Sequence, residues 1–244
     1  MKQVKPLYIV IPILAIIIVL CTSFLFIVNS SHLPLPELSD GQRGELGIDK
    51  NINESNIDNY LGRSDSVYYD MRMLDDPADY ESIGGDHYLS GFINGFQDIP
   101  YPYLATVDNL PEEVGTGYTG ETLFTKLNDG SYVANYEESE RILNDLFPKD
   151  KYIFLMCGGG GYAGMTKNLL VKQGWDTNKI YVVGGYWYYH GKNNINIKEV
   201  DENGKTIYAF WKIPYHNIDF KELTEKWTWK DVWLSFHFSY SFLR

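Results

Sequence analysis

The chain is 244 residues long, 44% apolar and 22% charged, with 20 tyrosines, enough for one domain with a sizeable core plus appendages. Its formal net charge of −11 argues against a duplex-binding surface, which needs a basic stripe to displace counterions from phosphate. Cysteine occurs only at positions 21 and 157, and Cys21 lies inside an apolar segment. No structural disulfide is therefore expected, and the Cys157 thiol is free to react.

Residues 7–28, LYIVIPILAIIIVLCTSFLFIV, carry no charge and match the roughly 20 apolar residues that a bilayer-spanning helix needs. The run is longer than the apolar core of about 7–15 residues in a cleavable signal peptide, and no A-x-A-like site follows it. An uncleaved anchor over residues 1–28 is the favoured reading, with a cleaved or lipoprotein signal as the alternative. Lys2 and Lys5 precede the run, and Glu37 and Asp40 follow it. The positive-inside tendency then makes this a single-pass cell-membrane protein with its C-terminal domain outside the cytoplasm.

Residues 29–55 are rich in Ser, Pro, Gly, Asn and Asp and are expected to form a flexible linker. A short strand is expected over 66–69, ending at Asp70, and another within 89–94. Residues 97–135, rich in Pro, Gly, Asp and Thr, are expected to form a long loop or insertion. Residues 136–147 carry acids in their first turn and apolar side chains at 142, 143, 146 and 147, a helix ended before Pro148. An apolar strand over 152–156 leads through Cys157 and four glycines into a helix containing Met165 and Leu169, with Gly174 at its left-handed cap. Residues 180–183 form a third apolar strand, followed by Gly184 and Gly185. This alternation predicts an α/β fold with a mostly parallel central sheet flanked by helices, preceded by the transmembrane helix. Residues 195–200 and 206–213 flank Asp-Glu-Asn-Gly, a hairpin signal. The extension over 193–244 ends in an aromatic tail that includes the tryptophans of 227–233, for which packing onto the domain is favoured over contact with a membrane or partner.

The segment at 157–163, CGGGGYA, carries the chemistry. Gly158, Gly159, Gly160 and Gly161 allow backbone N–H groups to turn inward, because glycine tolerates positive φ. With the following helix N-terminus they form a nest of donors that favours an anion. A thiol there is expected to ionise more readily than a free cysteine, with its oxyanion or persulfide products stabilised by the same donors. The bland alternative is a buried cysteine beside a flexible turn.

CGGGGYAG resembles the active-site loop of rhodanese-like domains. Four further stretches fall in that family's order: SVYYDMR with Asp70 and Arg72, YLSGFIN with Gly91 and Asn94, LLVKQGW, and KIYVVGGYW with Gly184 and Gly185. The resemblance covers residues 56–192. It implies a sulfurtransferase in which Cys157 attacks a sulfane sulfur and carries it as a persulfide, with residues 158–163 as the anion- or persulfide-binding loop. Tyr162 stands five positions after the cysteine, where the family usually has Arg, and Tyr88 stands where it often has His. Lacking that loop cation, the site is expected to favour polysulfide or protein-persulfide donors over dianionic thiosulfate, and an arginine at 162 to raise thiosulfate reactivity. Phosphatases of the same fold need Arg six positions after the cysteine; Ala163 stands there and argues against that chemistry.

Asp70 and Arg72 are read as a supporting pair beneath the loop or at the pocket rim, and His190 as a surface residue rather than a base for Cys157. Asp108, Glu112 and Glu113 are read as a solvated acidic loop. No cluster has metal-ligand spacing, and neither a metal nor a cofactor is expected. The expected partners are the membrane, through the N-terminal helix, and a small sulfur-containing donor or a protein persulfide acceptor, with no nucleic acid. A second reading remains open beside the enzyme: a catalytically weak module that binds a partner protein or a small anion.

Overall fold

The apolar runs YIFLMC and IYVVGG are buried along almost their whole length, as strands covered on both faces of a parallel sheet must be. The structure, a computed structural model, describes residues 33–39, 47–78, 80–107 and 118–226. The apolar run at 7–28, Cys21, Asp108, Glu112, Glu113 and the tryptophans of 227–233 lie outside them. Among the described residues no helix is long and apolar enough to cross a membrane. Two units are distinguished, Met1–Leu35 and Pro36–Arg244, and every element named below belongs to the second.

In chain order the elements are β1 (Ser66–Asp70), β2 (Gly91–Ile93), β3 (Gln97–Asp98), α1 (Tyr101–Leu104), β4 (Phe124–Lys126), β5 (Tyr132–Ala134), α2 (Ser139–Leu146), β6 (Tyr152–Cys157), α3 (Gly161–Lys172), β7 (Ile180–Gly185), β8 (Asn194–Asn196), β9 (Lys198–Val200) and β10 (Thr206–Tyr208). The central sheet has the order β3-β1-β6-β7, and every pairing in it is parallel. The fold is therefore α/β around a parallel sheet. Three antiparallel pairs, β2–β8, β4–β5 and β9–β10, surround it.

Alternation along the strands separates the two faces. Tyr69, Ile153, Leu155, Ile180 and Val182 join the core formed with Leu143 of α2 and Met165, Leu169 and Leu170 of α3. α2 stops at Phe147, directly before Pro148, and the Tyr69 hydroxyl donates to the carbonyl of Leu146 there. α3 closes with Gly174 at φ +90°, and the N–H of Trp175 reaches back to Leu170. On the opposite face Tyr68, Phe154 and Tyr181 pair in register across three strands. Their rings stack at 5.0 and 4.9 Å, each contact contributing about 0.5–1.5 kcal/mol beyond its area.

Three sequence expectations change. Residues 47–55 are not a tether. Ile48, Asp49, Ile52 and Glu54 are buried, and the Asp49 N–H donates to the carbonyl of Val182 at 2.8 Å. The Asp49 carboxylate accepts the N–H groups of Ser39, Asn51 and Ile52 at 2.7–2.8 Å, which turns the chain onto the sheet. The described part of 97–135 is not a loop either: it supplies β3, α1 and the β4–β5 hairpin, with Tyr101, Leu104, Leu123 and Phe124 fully buried. The hairpin around Asp-Glu-Asn-Gly forms as β9–β10, but Asn194–Asn196 pairs with β2 and residues 210–212 form a 3-10 turn.

Candidate active site

All four strands of the sheet end on the same edge: β3 at Asp98, β1 at Asp70, β6 at Cys157 and β7 at Gly185. In open α/β sheets this carboxyl edge is where ligands bind, because the strand-to-helix loops converge there. The edge is shaped by an irregularity. Leu155 pairs with Val182 but Met156 pairs with Gly184, so β7 carries one extra residue and bends as it reaches the cysteine.

Cys157 is 3% exposed. Its Sγ accepts the N–H of Gly160 at 3.1 Å, and Gly160 holds φ +105° as the residue before α3. The backbone N–H groups of Ala163, Gly160 and Tyr162 favour the thiolate, as a nest should. Burial outweighs them, and with the nearby Asp70 charge it pushes the thiol above its ordinary range. The expected lowering is therefore not found in the closed site, where desolvation is the larger effect.

The remaining glycines are required by close approach. A Cβ on Gly158 would lie 2.5 Å from Cζ2 of Trp187, and one on Gly185 would lie 2.2 Å from the carbonyl oxygen of Gly158. A Cβ on Gly159 would lie 3.2 Å from Cζ3 of the same indole, and Gly161 opens α3. The backbone N–H of Trp187 also donates to the carbonyl of Gly158 at 3.2 Å. The indole thus packs against the loop that follows the cysteine, and Ala163 is fully buried.

Tyr162 does not face the loop as an anion clamp. Its hydroxyl donates to Asp76 Oδ2 at 2.7 Å, and the Tyr80 hydroxyl lies 2.8 Å from the same oxygen and 2.9 Å from the Tyr162 hydroxyl. All three side chains are buried. Burial pushes both phenols up, reinforced by Asp76 and, for Tyr162, by Tyr80. The Tyr80 ring then tilts onto Trp187 at 5.4 Å, linking this cluster to the cover of the loop.

Asp70 and Arg72 come together as expected. Arg72 donates through Nε and Nη2 to the Asp70 carboxylate, with Nη2 to Oδ2 at 2.6 Å, and Nη2 also reaches the carbonyl of Gly91 at 2.8 Å. The guanidinium lies 4.2 Å from the centre of the Tyr186 ring. Asp98 stands beside Asp70 in the parallel register. It is wholly buried, and neither carboxylate oxygen has a hydrogen-bond partner among the described residues. Burial first, then the Asp70 charge, holds the Asp98 carboxyl well above the usual range, with Arg72 pulling the other way.

Asn94 and His190 are exposed, and Tyr88 stacks on Tyr208 at 4.5 Å. No cluster of His, Cys, Asp or Glu suited to a metal occurs among the described residues. Sequence reasoning missed Asp76, Tyr80, Asp98 and Trp187. Only Trp187, two residues beyond Gly185 in YVVGGYW, carried a local signal.

The molecule is thus an α/β protein with a parallel sheet, a buried thiol at the sheet's carboxyl edge and, directly after it, a glycine loop on which an indole packs. No protein-family model, curated protein or solved structure matches the chain.

Proposed function

We propose that the chain is a rhodanese-like sulfurtransferase that carries sulfur as a persulfide on Cys157, held outside the cytoplasm by its N-terminal anchor. The observation that carries this reading is the position of Cys157. It ends a central parallel strand, with the Gly160 N–H on its sulfur and an α-helix beginning four residues later. Amides in that arrangement stabilise negative charge on sulfur or on an atom attached to it. The resemblance of CGGGGYAG and four further stretches to the rhodanese-like family supports the same chemistry.

A second reading rests on the burial of the thiol and on Tyr162 being engaged by Asp76, which leaves residues 158–163 without a cation or a free side-chain donor. On that reading the domain is a weakly catalytic module that binds a partner or a small anion. Intact-mass measurement on the full chain after exposure to polysulfide, an organic persulfide or thiosulfate separates the two. The enzyme reading expects one added sulfur on the wild type and none on Cys157→Ser. An unmodified wild type with all three donors selects the binding module. The anchor is tested by adding protease to intact cells: loss of the domain with a small membrane-bound stub is expected, and a mature N-terminus beyond residue 21 refutes it.

A further inference from the structure

Trp187 presents a donor with nothing to donate to. A Cβ on Gly158 would stand 2.5 and 2.7 Å from Cζ2 and Cε2 of its ring, and a Cβ on Gly85 would stand 2.3 and 2.4 Å from its Cη2 and Cζ2. The indole is thus wedged between the turn at 84–85 and the loop directly after Cys157. Nε1 is bonded to Cε2, so this N–H lies at the Gly158 side of the wedge. It is buried and has no hydrogen-bond partner among the described residues. An indole N–H is a donor only, and a buried donor without an acceptor is penalised in the empty protein. The penalty disappears when an acceptor arrives.

We propose that the Trp187 indole N–H receives the terminal sulfur carried by Cys157 and selects monoanionic or neutral sulfane donors. This rests on the reading of Cys157 as a sulfur carrier. The Gly160 N–H already binds Sγ. A transferred sulfur extends one bond beyond Sγ and needs its own donor. Residues 158–163 carry no cation, and their one side-chain donor, the Tyr162 hydroxyl, is committed to Asp76. A neutral N–H stabilises a single negative charge on that sulfur without neutralising the sulfonate of a dianion. In the transfer, the Cys157 thiolate attacks the outer sulfur of R–S–SH. The new Cys–S bond forms as the donor S–S bond breaks, its electron pair leaves as RS⁻, and the proton stays on the transferred sulfur or passes to solvent. No oxidant or reductant is consumed.

The test compares the full-length wild type with Trp187→Phe, which keeps a ring against Gly158 and removes the donor. Persulfide formation from polysulfide, read by intact mass, is expected to slow about tenfold, the loss of one hydrogen bond to a charged acceptor. Alkylation of Cys157 by iodoacetamide is expected not to slow, whereas a packing defect would change both. In chain labelled with 15N at tryptophan, the indole whose ring protons show Overhauser contacts to Gly158 is that of Trp187, so the group is identified without the variant. That resonance should move downfield when the wild type is persulfidated and stay put in Cys157→Ser given the same donor. This second measurement decides the matter if the variant does not fold. An unmoved resonance on a wild type whose mass shows the added sulfur overturns the role of Trp187 and leaves Cys157 standing. A wild type that gains no sulfur overturns both.

Discussion

Asp98 is the residue whose burial has the clearest thermodynamic signature. Its neighbour in the ladder, Asp70, is already matched by Arg72, so a second negative charge at this edge has no cation of its own among the described residues. With its folded-state pKa raised, Asp98 binds its proton more tightly in the folded chain than in the unfolded one. Below about pH 4 both states are protonated and nothing is lost; above it the unfolded chain releases the proton and the folded chain does not. Stability is therefore expected to fall as pH rises from about 4 towards the raised folded value. Asp98→Asn should flatten that fall, exceeding the wild type in urea midpoint at pH 8 and converging with it near pH 4. Parallel curves for the two proteins would show that Asp98 is ionised in the fold. Tyr162 teaches a different lesson at the same scale. Its place in the loop was legible from spacing, but its partners Asp76 and Tyr80 arrive from a distant segment with no periodic signal. An arginine at 162 would meet the Asp76 carboxylate first, so its charge would be spent inside the protein rather than offered to thiosulfate.

Among the elements, those with a long apolar run or a helical period were readable: β1, β6, β7, α2 and α3 stand where composition and capping put them. β3 was not, because two residues, Gln97 and Asp98, are too short for any pattern and are defined only by pairing with β1. The segment around Asp49 failed for the opposite reason. Its Asn, Asp and Ser are common in loose linkers, but here Asp49 uses them to fold the chain into a tight turn. At the site, the cysteine, the glycines and the Asp70–Arg72 pair were legible. The need for so many glycines was not, since it arises from two close approaches. One of these gives a prediction. The obstacle facing a Cβ on Gly185 is the carbonyl of Gly158, backbone rather than a side-chain tip that could swing away. Gly185→Ala should therefore push β7 and the loop apart, at a cost of about 1–3 kcal/mol. Chemical denaturation measures the loss, and faster alkylation of Cys157 should accompany it. An unchanged midpoint would mean that the loop yields freely.

For the domain over Pro36–Arg244, the parallel sheet has two outer strands among the described residues, and both are covered there by irregular chain rather than by another strand. Beyond β3, the Asp98 N–H donates to the carbonyl of Pro214, and the His216 N–H to that of Asp98. Beyond β7, the Asp49 N–H takes the carbonyl of Val182. A segment that looks like dispensable linker is thus the guard on an apolar strand, and an open edge of that kind recruits other chains. Trimming the protein to begin at residue 56 removes the guard. Such a fragment should scatter light as a growing aggregate, while one beginning at residue 36 stays at constant size; equal behaviour of the two would show that β7 needs no cover. A proteolytic cut near residue 55 therefore does not release a finished domain. It uncovers a template, and whatever shortens this chain between 47 and 55 sets the protein's shelf life.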